Sequence, residues 1–371
     1  MGKCLHSQNL NLHRHFFNSF SPKINPGEGN MSERLKVGVI GCGNIFNLAH
    51  KPALRSLRTI AKVVAVMDIN EEAAKKAGKE LNAKVFTSLD EFLEQDMDVV
   101  EVLTPTYTHA EIAIKALKAG KHVIVEKPIA LTSEEAEKMI KEAEEQGLKL
   151  FVGHVRRFDK RWTQIKEVIK TRNILPMQIR KIEVQHLPFP ADYWYWDESK
   201  SGGVIIDLGV HVTDFLRWFF ESEPVEVFAV GKAIRGEARV NKTYDHVVMF
   251  IKFEGNKTGI GEVSWSYPMT PKYGVFYHHL DIIGKNGRIR YTPLDTPVVG
   301  VIKSSFEMPR FSPMLSTFPQ AFEAELRHFF ECIKSNCEPV VTARDALIAL
   351  QIAEKARESI KKGEPVKVEV N

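Results

Sequence analysis

The chain has 371 residues, 44% hydrophobic and 26% charged, with 51 Lys and Arg against 47 Asp and Glu for a formal net charge of +4. That length exceeds one typical domain and predicts two. The small charge is dispersed over helix faces where lysines and glutamates alternate (EEAEKMIKEAEEQ), which excludes a nucleic-acid-binding stripe. No apolar run approaches the roughly 20 residues that cross a bilayer, so no membrane span is expected. Cys4, Cys42, Cys332 and Cys337 form no C-x-x-C pair. That predicts no disulfide framework, no metal site, and the reduced thiols of a cytoplasmic protein.

Residues 1–30 are rich in Asn, Ser and His, carry no acid before Glu28 and show neither helical nor strand period. They lack the apolar core of a secretory signal and are expected to be a disordered extension, with Met31-Ser32-Glu33 as the start of the compact chain. From Leu35, apolar strand runs alternate with amphipathic helical stretches: KVGVI, VVAVMD, VFTS, DVVEVL, HVIVEKP and KLFVGH are separated by helices near Ile45–Leu57, from Asn70, and within THAEIAIKALKAG and SEEAEKMIKEAEEQG. This pattern predicts an α/β domain over 31–154, a parallel sheet with helices on both faces. Ser133 is the expected helix start, and Gly120 and Gly147 stand where helix-ending glycines belong.

Over 155–371 the pattern changes. A helix near Phe158–Lys170, the strand MQIRKIEVQHL and the aromatic loop ADYWYWDESKSGG precede an apolar helix bearing Asp207 and His211. Long alternating runs follow, joined by turns at Glu254-Gly255-Asn256 and Lys285-Asn286-Gly287, and two helices finish the chain. These features predict an α+β domain with a large, mostly antiparallel sheet for substrate binding and oligomerisation.

Gly41-Cys42-Gly43-Asn44-Ile45-Phe46 follows a strand and opens a helix, the setting of a dinucleotide fingerprint. Gly41 permits the tight turn, and the backbone of Gly43, Asn44 and Ile45 offers amides to a pyrophosphate. Phe46 replaces the third glycine, which predicts a shifted helix. Asp68 ends the second strand, where a carboxylate meets the adenosine ribose; it also reads as a cap for the helix beginning at Asn70. Its charge opposes a 2′-phosphate, so NAD is expected over NADP. Thr104, Pro105, Thr106 and His109 follow the fourth strand, either against the cofactor or as a loop and N-cap. Glu126 and Lys127 end the fifth strand, with Pro128 aiming Lys127. A lysine there can steady a developing alkoxide, or it is a strand-end cation paired with Glu126.

Asp207 and His211, at i and i+4, read as a general acid–base pair in which the carboxylate orients the imidazole, or as a structural pair. Trp194, Tyr195 and Trp196 read equally as sugar-site walls or as core aromatics. His154, His186, His246, His278 and His279 lack ligand spacing and read as ordinary polar or packing residues.

The segments IGCGNIFNLAHKPAL, TPTYTHAEIAIKALKAGKHVIVEKPIALT, GHVRRFD and SGGVIIDLGVHVTDFLRW resemble, in sequence and order, the Gfo/Idh/MocA oxidoreductases, a family that includes glucose–fructose oxidoreductase and inositol dehydrogenases. The resemblance runs from Leu35 to the C-terminus, with E-K-P and D-x-x-x-H its most specific parts. It implies a Rossmann domain and a second domain whose open sheet often mediates homodimers or homotetramers. It matches Lys127 to the lysine that contacts the reacting hydroxyl, and Asp207 and His211 to the pair whose histidine takes the proton. Arg156 and Arg157 match arginines near the substrate cleft. The expected activity is NAD-dependent oxidation of a secondary hydroxyl of a sugar or polyol. The alternatives are a glycosidase working by transient oxidation and elimination, and a dinucleotide-binding regulator without turnover.

Overall fold

The computed structural model describes residues 34–267, 276–292, 298–302, 305–307 and 318–370. The extension expected over residues 1–30 lies outside them.

Six parallel strands, β1 (Leu35–Ile40), β2 (Ala61–Met67), β3 (Lys84–Phe86), β4 (Val99–Val102), β5 (His122–Glu126) and β6 (Leu150–Gly153), pair in the order β3-β2-β1-β4-β5-β6. The chain reverses its direction of travel across the sheet between β1 and β4, which opens a ligand crevice at their carboxyl ends. Helices α1 (Lys51–Ser56), α2 (Glu71–Leu81), α3 (Leu89–Leu93), α4 (His109–Lys118) and α5 (Ser133–Gln146) make the crossovers. The cap of α5 is Thr132, one residue before the expected start: its hydroxyl takes the Glu135 N–H while the Glu135 carboxylate reaches back to the Thr132 N–H.

After α6 (Lys160–Thr171) and β7 (Pro176–Gln185) come α7 (Glu198–Ser201), α8 (Gly203–Asp207) and α9 (Gly209–Phe220). The strands β8 (Pro224–Lys232), β9 (His246–Phe253), β10 (Lys257–Ser264), β11 (Phe276–Gly284), β12 (Gly287–Tyr291), β13 (Val298–Ile302) and β14 (Ser305–Glu307) follow, with α10 (Gly236–Val240) between β8 and β9. The chain closes with α11 (Phe318–Ser335), α12 (Ala343–Lys362) and β15 (Val366–Lys367). Nine strands form the second sheet, in the order β14-β13-β12-β11-β7-β10-β9-β8-β15. Among the described residues β7–β10 is its only parallel pair. Both expected hairpins form, β9–β10 and β11–β12. Alternation on β9 sends Val247, Met249, Ile251 and Phe253 inward, toward the face covered by α9 and α12, and leaves Phe250 and Lys252 outward.

Three features depart from the sequence reading. Asp207 and His211 lie on two helical segments that part at Leu208, not on one continuous helix. Cys332 and Cys337, expected as free thiols, are joined as a disulfide across the end of α11. Finally α11, which follows the second sheet in sequence, packs on the first. Its Phe322, Leu326, Phe329 and Phe330 join Val37, Val39, Phe46, Leu54, Val99, Ile124 and Phe151 in one core. The other face of the first sheet is continuous with the inner face of the second, through Val102, Val125, Val152, Ile205, Val212 and Met249.

Candidate active site

The glycine loop is built for close approach. Gly41 holds φ +95, and a Cβ there would stand 2.7 Å from the Leu103 carbonyl oxygen of the loop after β4. A Cβ on Gly43 would meet nothing within 4 Å, so the backbone faces open space where a pyrophosphate can come near. Asp68 fixes this loop: its Oδ2 accepts the Cys42 N–H at 2.7 Å and its Oδ1 accepts the Asn70 N–H at 2.8 Å. The helix cap itself is the Asn70 side chain, which accepts the Ala73 N–H at 3.1 Å. Phe46, in the third glycine's place, is fully buried and opens a π-helical turn, Phe46–His50, that rewinds into α1. The turn is a local widening at the start of the helix. The cradle left by Gly41 and Gly43, with the carboxylate of Asp68 at the end of β2, fits a dinucleotide.

Around the crevice the expected contacts divide. Thr104 and Pro105 are half-buried at its rim, and Thr104 accepts a hydrogen bond from the Thr108 hydroxyl at 2.6 Å. Thr106 is buried. His109 is buried as a strut: its ring nitrogens face the carbonyls of Pro128 and Thr104, each at 2.8 Å, tying the loops after β4 and β5 together. Glu126, expected beside the cofactor, turns inward instead, to His50 at 2.9 Å. Lys127 correspondingly pairs with Asp207 rather than with the Glu126 side chain.

The Lys127 ammonium lies 2.9 Å from Asp207 Oδ1 and 3.0 Å from the Asp207 carbonyl oxygen. The other carboxylate oxygen of Asp207 accepts the Trp265 indole N–H at 3.3 Å. The expected Asp207–His211 hydrogen bond is therefore not made among the described residues. With the helix broken at Leu208, Asp207 is drawn across to β5 and Trp265. His211 is buried with no partner on Nδ1. Burial first, then the Lys127 ammonium, hold its imidazole well below the usual range, and the Glu183 carboxylate only partly opposes them. The ring is neutral and able to accept a proton. His154, read from sequence as an ordinary histidine, stands edge-on to it with ring centroids 6.3 Å apart.

The arginines lie inside rather than along a cleft. Arg156 binds Glu183 on β7, with Nε 2.8 Å from Oε1. Arg157 clasps Asp214 of α9 at 2.6 Å and also donates to the Val340 carbonyl at 3.1 Å, clamping α9 to the start of α12. Trp196 is a core residue, fully buried, its indole N–H donating to the Phe189 carbonyl at 3.2 Å. Trp194 is half-buried and stacks on Tyr195 at 4.2 Å. Tyr195 and Trp265 carry more of the site than either tryptophan named from sequence. Burial and then the Asp207 carboxylate keep the Tyr195 phenol well above its ordinary value, and the Tyr195 ring stands edge-on to Trp265 at 6.0 Å. Tyr195 belongs to the aromatic loop already read as site wall or core, whereas Trp265 had no spacing signal: it sits just past a strand that alternates like its neighbours.

Comparison with known proteins agrees with this arrangement. Residues 35–154 match the oxidoreductase-family NAD-binding Rossmann fold of the Gfo/Idh/MocA proteins, and residues 166–368 match the C-terminal alpha/beta domain of the same family. Myo-inositol 2-dehydrogenase of Thermotoga maritima is 29% identical over 90% of this chain and 99% of its own length. Scyllo-inositol 2-dehydrogenase (NAD(+)) of Bacillus subtilis is 29% identical over 92% and 98%. The crystal structure of a probable dehydrogenase from Thermotoga maritima superposes with a TM-score of 0.76 at 28% identity, covering 90% of this chain and 99% of that one. Levoglucosan dehydrogenase in complex with NADH, at 22% identity, shares the fold with a TM-score of 0.82 over 91% and 100%. The chain belongs to the Gfo/Idh/MocA oxidoreductases and is an NAD-dependent enzyme acting on CH–OH groups.

Proposed function

We propose that this enzyme oxidises a secondary hydroxyl of a cyclic polyol or sugar, or reduces the matching ketone, with Lys127, Asp207 and His211 as its reacting group. The observation that carries this reading is the Lys127–Asp207 ion pair at the carboxyl end of β5, its ammonium part-exposed, with the neutral His211 four residues beyond Asp207. When bound, NAD supplies the hydride acceptor, and the glycine loop with Asp68 would hold it. The Lys127 ammonium, fixed by Asp207, donates to the substrate oxygen and steadies the negative charge that grows there. The neutral His211 imidazole takes the hydroxyl proton as the C–H bond breaks. Trp265 holds the second oxygen of Asp207 and so sets where Lys127 points. The inositol class is favoured by the relatives named above, which cover nearly the whole chain.

A homodimer or homotetramer belongs to the same reading. Its support is the outer face of the second sheet, where Val230, Phe250 and Ile283 are 46%, 48% and 42% exposed. A cytoplasmic location belongs to the same reading, its support being the enzyme's dependence on recycled NAD. An NADH-coupled screen of inositols, other polyols, aldoses and sugar acids tests the activity. NADH release with at least one free polyol or sugar is expected. Cleavage of a glycoside without net NADH release would overturn the reading.

A further inference from the structure

Beneath the site a chain of alternating charges leads into the Lys127–Asp207 pair through three buried groups, Glu101, His50 and Glu126, that the proton and hydride chemistry does not use. His50, the last residue of the π-helical turn, bonds through both ring nitrogens, Nδ1 to Glu101 Oε2 at 3.1 Å and Nε2 to Glu126 Oε1 at 2.9 Å. The second oxygen of Glu126 accepts the backbone N–H of Lys127 at 3.0 Å, and the Lys127 ammonium reaches Asp207. In order, Glu101, His50, Glu126, Lys127 and Asp207 alternate in sign from β4 to the end of α8. With a carboxylate oxygen at each ring nitrogen, the doubly protonated imidazolium can donate to both.

The surroundings agree. Burial alone would push His50 down, but its bonds with Glu101 and Glu126 outweigh burial and raise it to about 10. Burial would raise Glu126, and the His50 bond and charge, together with the Lys127 charge and backbone amide, more than reverse it. From α11, Phe322 closes the chamber edge-on at 5.1 Å. Glu325 on the same helix is pushed well above the usual carboxylate range, by burial first and then by Glu126, so it adds no charge. On β6, Gly153 leaves room: a Cβ there would stand 3.2 Å from Glu126 Oε1.

We propose that His50 is a positioning residue for Lys127, acting through Glu126. His50 keeps the buried Glu126 ionised and turned so that one oxygen fixes the Lys127 backbone, while its charge acts on the Lys127 ammonium from a distance. The helix that leaves the cofactor loop thereby sets the residue that meets the substrate oxygen. This rests on the assignment of Lys127 to the reacting oxygen.

The test uses the full chain and four variants, His50→Gln, His50→Lys, Glu126→Gln and Lys127→Ala. In the wild type, the NMR signals of the His50 ring should stay those of the doubly protonated imidazole until the pH nears 10. His50→Gln and Glu126→Gln should keep NAD binding, read by titration and by NAD-dependent melting, while kcat falls roughly tenfold or more. Removing the Glu126 charge, or the cation that keeps it ionised, should move the alkaline limb of kcat/KM down by about one pH unit. His50→Lys, which returns a cation, should restore most of that movement. A purely structural role would lower the melting temperature and leave the limb in place. If His50→Gln does not fold, the isosteric Glu126→Gln decides. A folded Glu126→Gln with wild-type kcat and limb, alongside an inactive Lys127→Ala, overturns the proposal and leaves the Lys127 assignment standing. An active Lys127→Ala overturns both.

Discussion

Burial and the Lys127 ammonium both oppose positive charge on the His211 ring, and this fixes the sign of the enzyme's acid behaviour. A base held well below 6.5 stays competent through neutral pH, so the acid limb of kcat/KM should lie below 6.5. A limb at or above that value would remove His211 as the base. His211→Ala should cut kcat by about 10²–10⁴-fold with NAD affinity unchanged. Asp207 was legible as a site residue but not in its role. Helical spacing alone would make Asp207→Asn a mild loss of ring orientation, whereas the Lys127 and Trp265 contacts predict a kcat loss comparable to that of Lys127→Ala. Kinetics of the two variants side by side decide between these. Asp68→Ser should raise KM for NAD, because the Cys42 amide loses its acceptor, and should narrow the preference over NADP. Unchanged kcat/KM ratios for the two cofactors would count against that role. Residues that mark a motif could be read one by one. The inward turn of Glu126 depends on His50, 76 positions earlier, and no local pattern announces such a pairing.

Among the elements, the parallel strands, their helices and both hairpins follow from periodicity and turn residues, since each such signal is local. What α11 covers does not. Its apolar stripe says that the helix must bury a face, but not against which sheet. Phe329 on that stripe is fully buried and stacks on Phe151 with ring centroids 4.7 Å apart. Phe329→Ala should therefore destabilise the protein by about 3–5 kcal/mol, although the residue lies far along the chain from the first sheet. A fragment of residues 34–154 should lack a cooperative melt and bind a hydrophobic dye. A fragment with a sharp transition would show that the first sheet does not need α11. The division into 31–154 and 155–371 is thus a division of sequence, crossed in space by α11 and also by α12, which meets α5 and β6.

For the molecule as a whole, the exposed apolar residues on the outer face of the second sheet predict self-association. Light scattering should give a mass that is a multiple of the 42.1 kDa chain. Phe250→Asp should shift it toward the single chain, and a monomeric wild type would refute the assignment. The docking of α11 also bears on how the protein is made. The face of the nucleotide-binding sheet that α1 and α2 share with α11 stays incompletely covered until residues 321–341 have left the ribosome. At ordinary elongation rates of about 5–20 residues per second, that is a wait of roughly 10–40 s after residue 154 has been added. Through that interval Phe151 lacks its stacking partner Phe329. Chaperone occupancy during synthesis should accordingly persist until the last helices emerge.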